Sequence, residues 1–94
     1  MPAEAAKRGM DAFGPILGQL YGLTEATGST FLYPKDHLMA LRELGKEGIL
    51  SSAGKPVPGC EMRLVDDNDK DVPLGAMGEI IFRSQCIIEG YWNK

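Results

Sequence analysis

A hydroxyl and a carboxylate stand side by side at Thr24-Glu25, just after Gly22-Leu23. An apolar run, Ile16-Leu17, leads into them through Gly18-Gln19-Leu20-Tyr21. A hard divalent cation takes carboxylate oxygen. Charge developing on a reacting phosphoryl group is stabilised by fixed donors such as a hydroxyl. Glycine at position 22 lets a backbone approach a ligand closely. The same five residues, Tyr21 to Glu25, also read as a strand that simply ends in a turn. No G-x-x-x-x-G-K-S/T pattern is present, so this stretch cannot cradle a triphosphate by itself.

Other chemistry-bearing residues offer less. Asp67, Asp69 and Asp71 alternate as in a calcium loop, but Val72 stands where the glycine is required and no glutamate closes the loop. They read as a solvated hairpin tip. His37 has no nucleophile near it in sequence and reads as a surface residue at a helix N-terminus. Cys60 and Cys86 lie in apolar, strand-like surroundings and read as reduced, buried thiols.

The elements that must position Thr24 and Glu25 follow from periodicity. Residues 3–12 are good helix formers, with Ala6, Met10 and Phe13 on one side and Gly14-Pro15 as the stop. Residues 16–21 read as a short buried strand, and Gly22 to Thr30 as a loop of small residues. Phe31-Leu32-Tyr33 is extended, because the residue before Pro34 avoids helical geometry. Asp36 is the expected N-cap of a second helix, which presents Leu38, Leu41 and Leu44 and stops at Gly45. Residues 51–59, with two prolines and two glycines, are expected to form a shaped loop without regular structure.

Beyond residue 59 the period becomes two. Cys60, Met62 and Leu64 fall on one side of a strand and Glu61, Arg63 and Val65 on the other. A polar turn, 66–71, and the irregular Val72-Pro73-Leu74-Gly75 lead to a second strand at 78–84. Ile80 and Phe82 alternate there with Ile81 and Arg83, and Cys86-Ile87-Ile88 reads as a third extended piece. The fold class is α+β: a short helix and strand from the edge of an α/β layer, then a small antiparallel β subdomain.

Ninety-four residues allow one domain at most. A net charge of −3, with no basic stripe, argues against nucleic acid as a partner. No apolar run approaches the roughly 18 residues of a membrane span. Met1 to Arg8 lacks the apolar core of a signal peptide, so a cytoplasmic setting is expected.

Three segments in order carry a resemblance. They are Tyr21-Gly22-Leu23-Thr24-Glu25, then Ser52-Ala53-Gly54-Lys55-Pro56, then Gly78-Glu79-Ile80-Ile81-Phe82-Arg83-Ser84 with Gly90-Tyr91-Trp92. At these spacings the chain resembles the adenylate-forming enzymes: acyl-CoA synthetases, firefly luciferase and the adenylation domains of peptide synthetases. The resemblance runs from about Ile16 to Lys94 and is strongest to fatty or aryl acid CoA ligases. It implies that the chain is an internal fragment of a larger AMP-binding domain. Residues 1–35 would be the end of its α/β layer with the nucleotide loop, and 36–94 a helix plus β-rich subdomain.

The resemblance also implies roles. Gly18, Gln19, Leu20, Tyr21 and Gly22 would line the nucleotide pocket, with Tyr21 against the adenine ring. Thr24 would contact the α-phosphate and Glu25 would hold Mg²⁺, making these two the catalytic pair. Gly22, Ala53 and Gly54 would border the acyl pocket. Lys55 is as well explained by a turn that faces water. The strand at 78–84 and Gly90-Tyr91-Trp92 would be structural, packing below the nucleotide site, and Glu79 a supporting group or a solvated strand end.

ATP or AMP, Mg²⁺, coenzyme A and a carboxylic acid are the implied cofactors and substrates. The lysine-bearing phosphate loop of the family would precede this segment. The Tyr-x-Thr-Gly-Asp motif, the hinge and a C-terminal lysine would follow it. The 94 residues alone are therefore expected to be non-catalytic. Apolar surface at 16–21 and at Tyr91-Trp92 is expected to make them self-associate.

Overall fold

A computed structural model describes residues 1–43 and 45–94; Leu44, expected on the apolar face of the second helix, lies outside them. Helix α1 spans Ala3–Phe13, with Glu4 in its first turn. Gly14, at φ 81°, ends it by donating its N–H to the Met10 carbonyl at 2.8 Å. Eleven residues are too few for a stable isolated helix, so packing must hold it. It buries Ala6 and Met10. Met10 joins Ala40 and Leu50 in a small core flanked by Ala3, Leu17 and Ile49.

The chain continues as β1 (Gln19–Tyr21), β2 (Thr30–Leu32), helix α2 (Pro34–Arg42) and a 3-10 turn at Glu47–Ser51. Strands β3 (Lys55–Pro56), β4 (Glu61–Val65) and β5 (Glu79–Arg83) follow. Two antiparallel sheets result, one ordered β1-β2-β3 and the other β4-β5. This is the α+β class read from the sequence.

Several local expectations are corrected. The strand expected over 16–21 is paired only at Gln19–Tyr21, and it is not buried. Ile16 and Leu20 are exposed by 69% and 64%, because β1 pairs with β2 alone and keeps a bare edge. Asp36 does not cap α2 from the N-cap position. Tyr33 holds that place, Pro34 opens the helix, and Asp36 reaches back to accept the Tyr33 N–H at 3.0 Å. Nor is α2 buried through Leu38 and Leu41. Its buried residues are His37 and Ala40, and Leu41 is exposed.

Residues 51–59 are not devoid of regular structure. Lys55 and Pro56 pair with Phe31 and Thr30, and the Thr30 hydroxyl donates to the Ala53 carbonyl at 2.6 Å. Proline is tolerated here because β3 is an edge strand. In β4 the buried residue is Val65 and not Leu64. The Val72 N–H bonds the Leu64 carbonyl at 3.0 Å, and Val65 bridges Asp71. Cys60 is half-buried and Cys86 exposed, so the second thiol is not the buried one expected.

His37 is the largest correction. It is fully buried, not a surface residue. Nδ1 lies 2.8 Å from the Leu17 carbonyl and Nε2 lies 2.8 Å from the Gln19 side-chain nitrogen. A carbonyl can only accept, so Nδ1 carries the proton and Nε2 accepts from Gln19. Gln19 also donates to the Leu50 carbonyl, at 3.4 Å.

The solvent-accessible surface is 7339 Å². A compact monomer of this mass would expose about 5,300 Å². The radius of gyration is 15.6 Å, against about 12 Å for a compact domain of this length. Both sheets therefore keep apolar faces uncovered, including Leu64 and Ile80 on β4-β5 and Leu20 on β1.

Replacing His37 by Leu is expected to leave one Gln19 amide hydrogen and the half-buried Leu17 carbonyl without their partner, at up to about 1–3 kcal/mol for each. The check is a lower urea midpoint at unchanged slope. A midpoint equal to wild type would show the network to be dispensable.

Candidate nucleotide and metal site

The segment between β1 and β2 is a closed loop. Leu23 and Ala26 exchange backbone hydrogen bonds at 3.2 and 3.1 Å, which sets Thr24 and Glu25 at the tip of a two-residue turn. At the neck, the Ser29 N–H donates to the Tyr21 carbonyl at 3.0 Å. The Ser29 hydroxyl reaches the Ala26 carbonyl at 2.8 Å. A Cβ on Gly22 would lie 2.6 Å from the Gly28 nitrogen and 3.0 Å from the Ala26 oxygen. Glycine is required at 22 by the loop's own backbone, independently of any ligand.

Thr24 and Glu25 are exposed. Thr24 is held through its carbonyl, which accepts from the Thr27 hydroxyl at 3.4 Å. Glu25 is held from a distant part of the chain. The Ile88 N–H donates to its carbonyl at 3.1 Å, and Ala26 forms an antiparallel bridge with Ile87. The Tyr91 hydroxyl donates to its Oε1. The extended piece expected at 86–88 is this strap, anchored on the loop. Trp92, expected with Tyr91 to present apolar surface in these 94 residues, is 93% exposed.

The expected site residues fall in four places, with Leu20 shared between two. Gln19, Leu20 and Tyr21 line an open depression together with Ser51, Ser52 and Ala53. Leu20, Gly22 and Thr24 line a second one with Leu23, Thr27 and Gly28. Gly18 and Gly54 line neither. A Cβ on Gly18 would meet the Phe31 ring at 2.5 Å, and one on Gly54, at φ 89°, would run into the Phe31 carbonyl. Their small size serves the seating of β2, so Gly54 has a packing reason beside the role expected at an acyl pocket. Glu25 stands apart at the tip.

Sequence reasoning missed the partners of two of these residues. Gln19 is fixed by His37 and Glu25 by Tyr91. No spacing signal predicts either contact, since the second joins residues 66 apart.

Among the described residues no three His, Cys, Asp or Glu side chains cluster as a metal cage. Magnesium does not need one. It commonly binds through one or two carboxylates, with phosphate oxygens and waters completing its shell. A single exposed Glu25 on a fixed backbone fits one such ligand.

The chain belongs to the AMP-binding enzyme family, whose pattern matches residues 1–92. It is 33% identical, over 96 aligned positions and its whole length, to a long-chain-fatty-acid–CoA ligase of Escherichia coli O6:H1. It is 32% identical over 74 residues, 79% of its length, to a chain of the linear gramicidin synthase of Brevibacillus parabrevis. Among solved structures it resembles the amide bond synthetase McbA of Marinactinospora thermotolerans, with a TM-score of 0.82, 32% identity and 97% of the chain covered. It spans 16% and 1% of the lengths of the two sequence relatives and 17% of the solved chain. The fold is thus that of a segment of the adenylate-forming fold.

The Tyr91 hydrogen bond, then the carboxylate's own backbone, hold Glu25 below the ordinary carboxylate value. The same hydrogen bond raises Tyr91 above the ordinary phenol value. A depressed carboxylate stabilises the fold above its ordinary pKa, and that contribution is lost as pH falls through the depressed value. A raised phenol contributes below its ordinary pKa, and that contribution is lost as pH rises through the raised value. The strap is therefore tied to Glu25 from mildly acidic to mildly alkaline pH. Tyrosinate absorbance, with Tyr91→Phe used for assignment, should show Tyr91 titrating above an ordinary phenol and shifting downward in Glu25→Gln. Unshifted titration in Glu25→Gln would rule the bond out in solution.

Proposed function

We propose that this chain is one wall of the active site of an ATP-dependent acid–CoA ligase. Such an enzyme joins a carboxylate oxygen to the α-phosphorus of ATP and expels pyrophosphate. It then transfers the acyl group to the thiol of coenzyme A, releasing AMP. The carrying observation is the turn that fixes Thr24 and Glu25 at an exposed tip, beside depressions lined by Gln19–Tyr21 and Ala53.

In this reading Tyr21 lies against the adenine ring and the Thr24 hydroxyl donates to the α-phosphate. Glu25 is a ligand of Mg²⁺, which neutralises phosphate oxygens when bound. Gly22 and Ala53 border the acyl group. Thr24 and Glu25 alone offset too little charge for the reaction, so the 94 residues by themselves are non-catalytic. Supply of ATP and coenzyme A favours the cytoplasm. The acid is a fatty acid, which the fatty-acid ligase relative supports at full coverage of the chain. The gramicidin synthase relative supports a second reading, a peptide-synthetase adenylation domain that loads a carrier-protein thiol.

Full-length parent protein should catalyse carboxylate-dependent ATP–pyrophosphate exchange and form fatty acyl-CoA. Thr24→Val should lower exchange on the order of 10²-fold, the scale for loss of one donor to a developing oxyanion. Absence of exchange with any carboxylic acid would overturn the reading. Exchange with amino acids and no CoA thioester would favour the adenylation domain.

The uncovered faces of β1 and β4-β5 should make the isolated 94 residues self-associate. Size-exclusion chromatography should show the elution volume falling with concentration. A monomeric volume at high concentration would refute this.

A further inference from the structure

The strap at 86–91 holds Glu25 at two points, and the two have different consequences. The Ile88 N–H on the Glu25 carbonyl fixes the backbone of the turn. The Tyr91 hydroxyl takes Oε1. That oxygen already accepts a hydrogen bond, while no hydrogen bond to Oε2 is found among the described residues. The side chains of Glu25 and Tyr91 are both exposed, so the bond is not a by-product of core packing. Tyr91 is brought there by the Ala26–Ile87 bridge, which aligns the strap with the turn.

We propose that Tyr91 is a positioning residue that makes Glu25 a one-oxygen metal ligand and so favours Mg²⁺ over Ca²⁺. Magnesium is small, needs near-ideal octahedral geometry and binds carboxylates economically. Calcium accepts larger, irregular shells in which a carboxylate commonly gives both oxygens. A phenol donating to Oε1 competes with two-oxygen binding while leaving one-oxygen binding intact. The proposal rests on Glu25 being the metal ligand of the nucleotide site.

The test uses full-length parent protein and equilibrium binding of ATP by calorimetry in the presence of Mg²⁺ or Ca²⁺, without acid or coenzyme A. Glu25→Gln, Tyr91→Phe and wild type are compared. Tyr91→Phe keeps the ring and removes only the donor, and circular dichroism confirms its fold. The expected result is a several-fold fall in the ratio of Mg²⁺-supported to Ca²⁺-supported affinity in Tyr91→Phe, with metal dependence strongly reduced in Glu25→Gln. The Mg²⁺ concentration needed for half-maximal pyrophosphate exchange should rise in Tyr91→Phe, while the rate at saturating Mg²⁺ changes less. If Glu25→Gln loses metal dependence but Tyr91→Phe keeps the wild-type ratio, the positioning role is wrong and the metal-ligand reading stands. If Glu25→Gln binds metal-nucleotide as wild type does, the metal-ligand reading falls and the proposal with it.

Discussion

One buried imidazole ties α2, β1 and the 3-10 turn of this chain together. His37 lies on α2, and it takes the carbonyl of Leu17 before β1 and the side chain of Gln19 on β1. Through Gln19 the network extends to the Leu50 carbonyl on the 3-10 turn. Three segments distant in sequence are thereby fixed around a ring that water does not reach. Among the described residues, the apolar core beside it is Met10, Ala40 and Leu50 with partly buried neighbours. With so little apolar burial, directional bonds must set the register between helix and strand. A satisfied buried polar network specifies one arrangement, while a half-satisfied one costs more than an apolar replacement.

The glycines follow from the same shortage of space. Gly18 and Gly54 let β2 approach from two sides, with Phe31 as the shared neighbour. Phe31 in turn meets Tyr33 edge to face, with ring centroids 4.8 Å apart. Gly22 closes the neck of the turn against Gly28. A motif that looks designed for a ligand is thus required first by its own backbone. The bare sheet faces belong to the same account. The chain spans about a sixth of the length of a ligase relative, and these faces are exposed in it.

Much of the fold was legible in the sequence, for identifiable reasons. The helix over 3–12 and the strands near 61–65 and 79–83 follow from periodicity that local sterics impose. Burial was less legible, because it depends on partners far along the chain. Leu20 and Ile16 look like core by composition, yet they are exposed where nothing covers β1. His37 looks like surface, yet it is buried by acceptor and donor groups 20 and 18 residues earlier. The misplaced cap of α2 is different in kind. Pro34 favours the first helical turn and could have moved the helix start ahead of Asp36. Within the candidate site, the small-residue loop carrying Thr24 and Glu25 was legible from residue type, and Tyr91 as the partner of Glu25 was not.

The site separates rigidity from chemical availability. Leu23 and Ala26 fix the turn through backbone groups, and the carbonyls of Thr24 and Glu25 accept from Thr27 and Ile88. Position is therefore set by atoms that take no part in ligand chemistry. The groups proposed to meet a ligand project from that frame: the Thr24 hydroxyl, and a carboxylate with one oxygen on Tyr91. A side chain held this way loses less freedom when a ligand binds, which lowers the entropy cost of each contact. It also explains why the strap at 86–91 belongs to the site although none of its residues lines either depression. Removing it would cost Glu25 both its backbone anchor at Ile88 and the Tyr91 bond to its carboxylate.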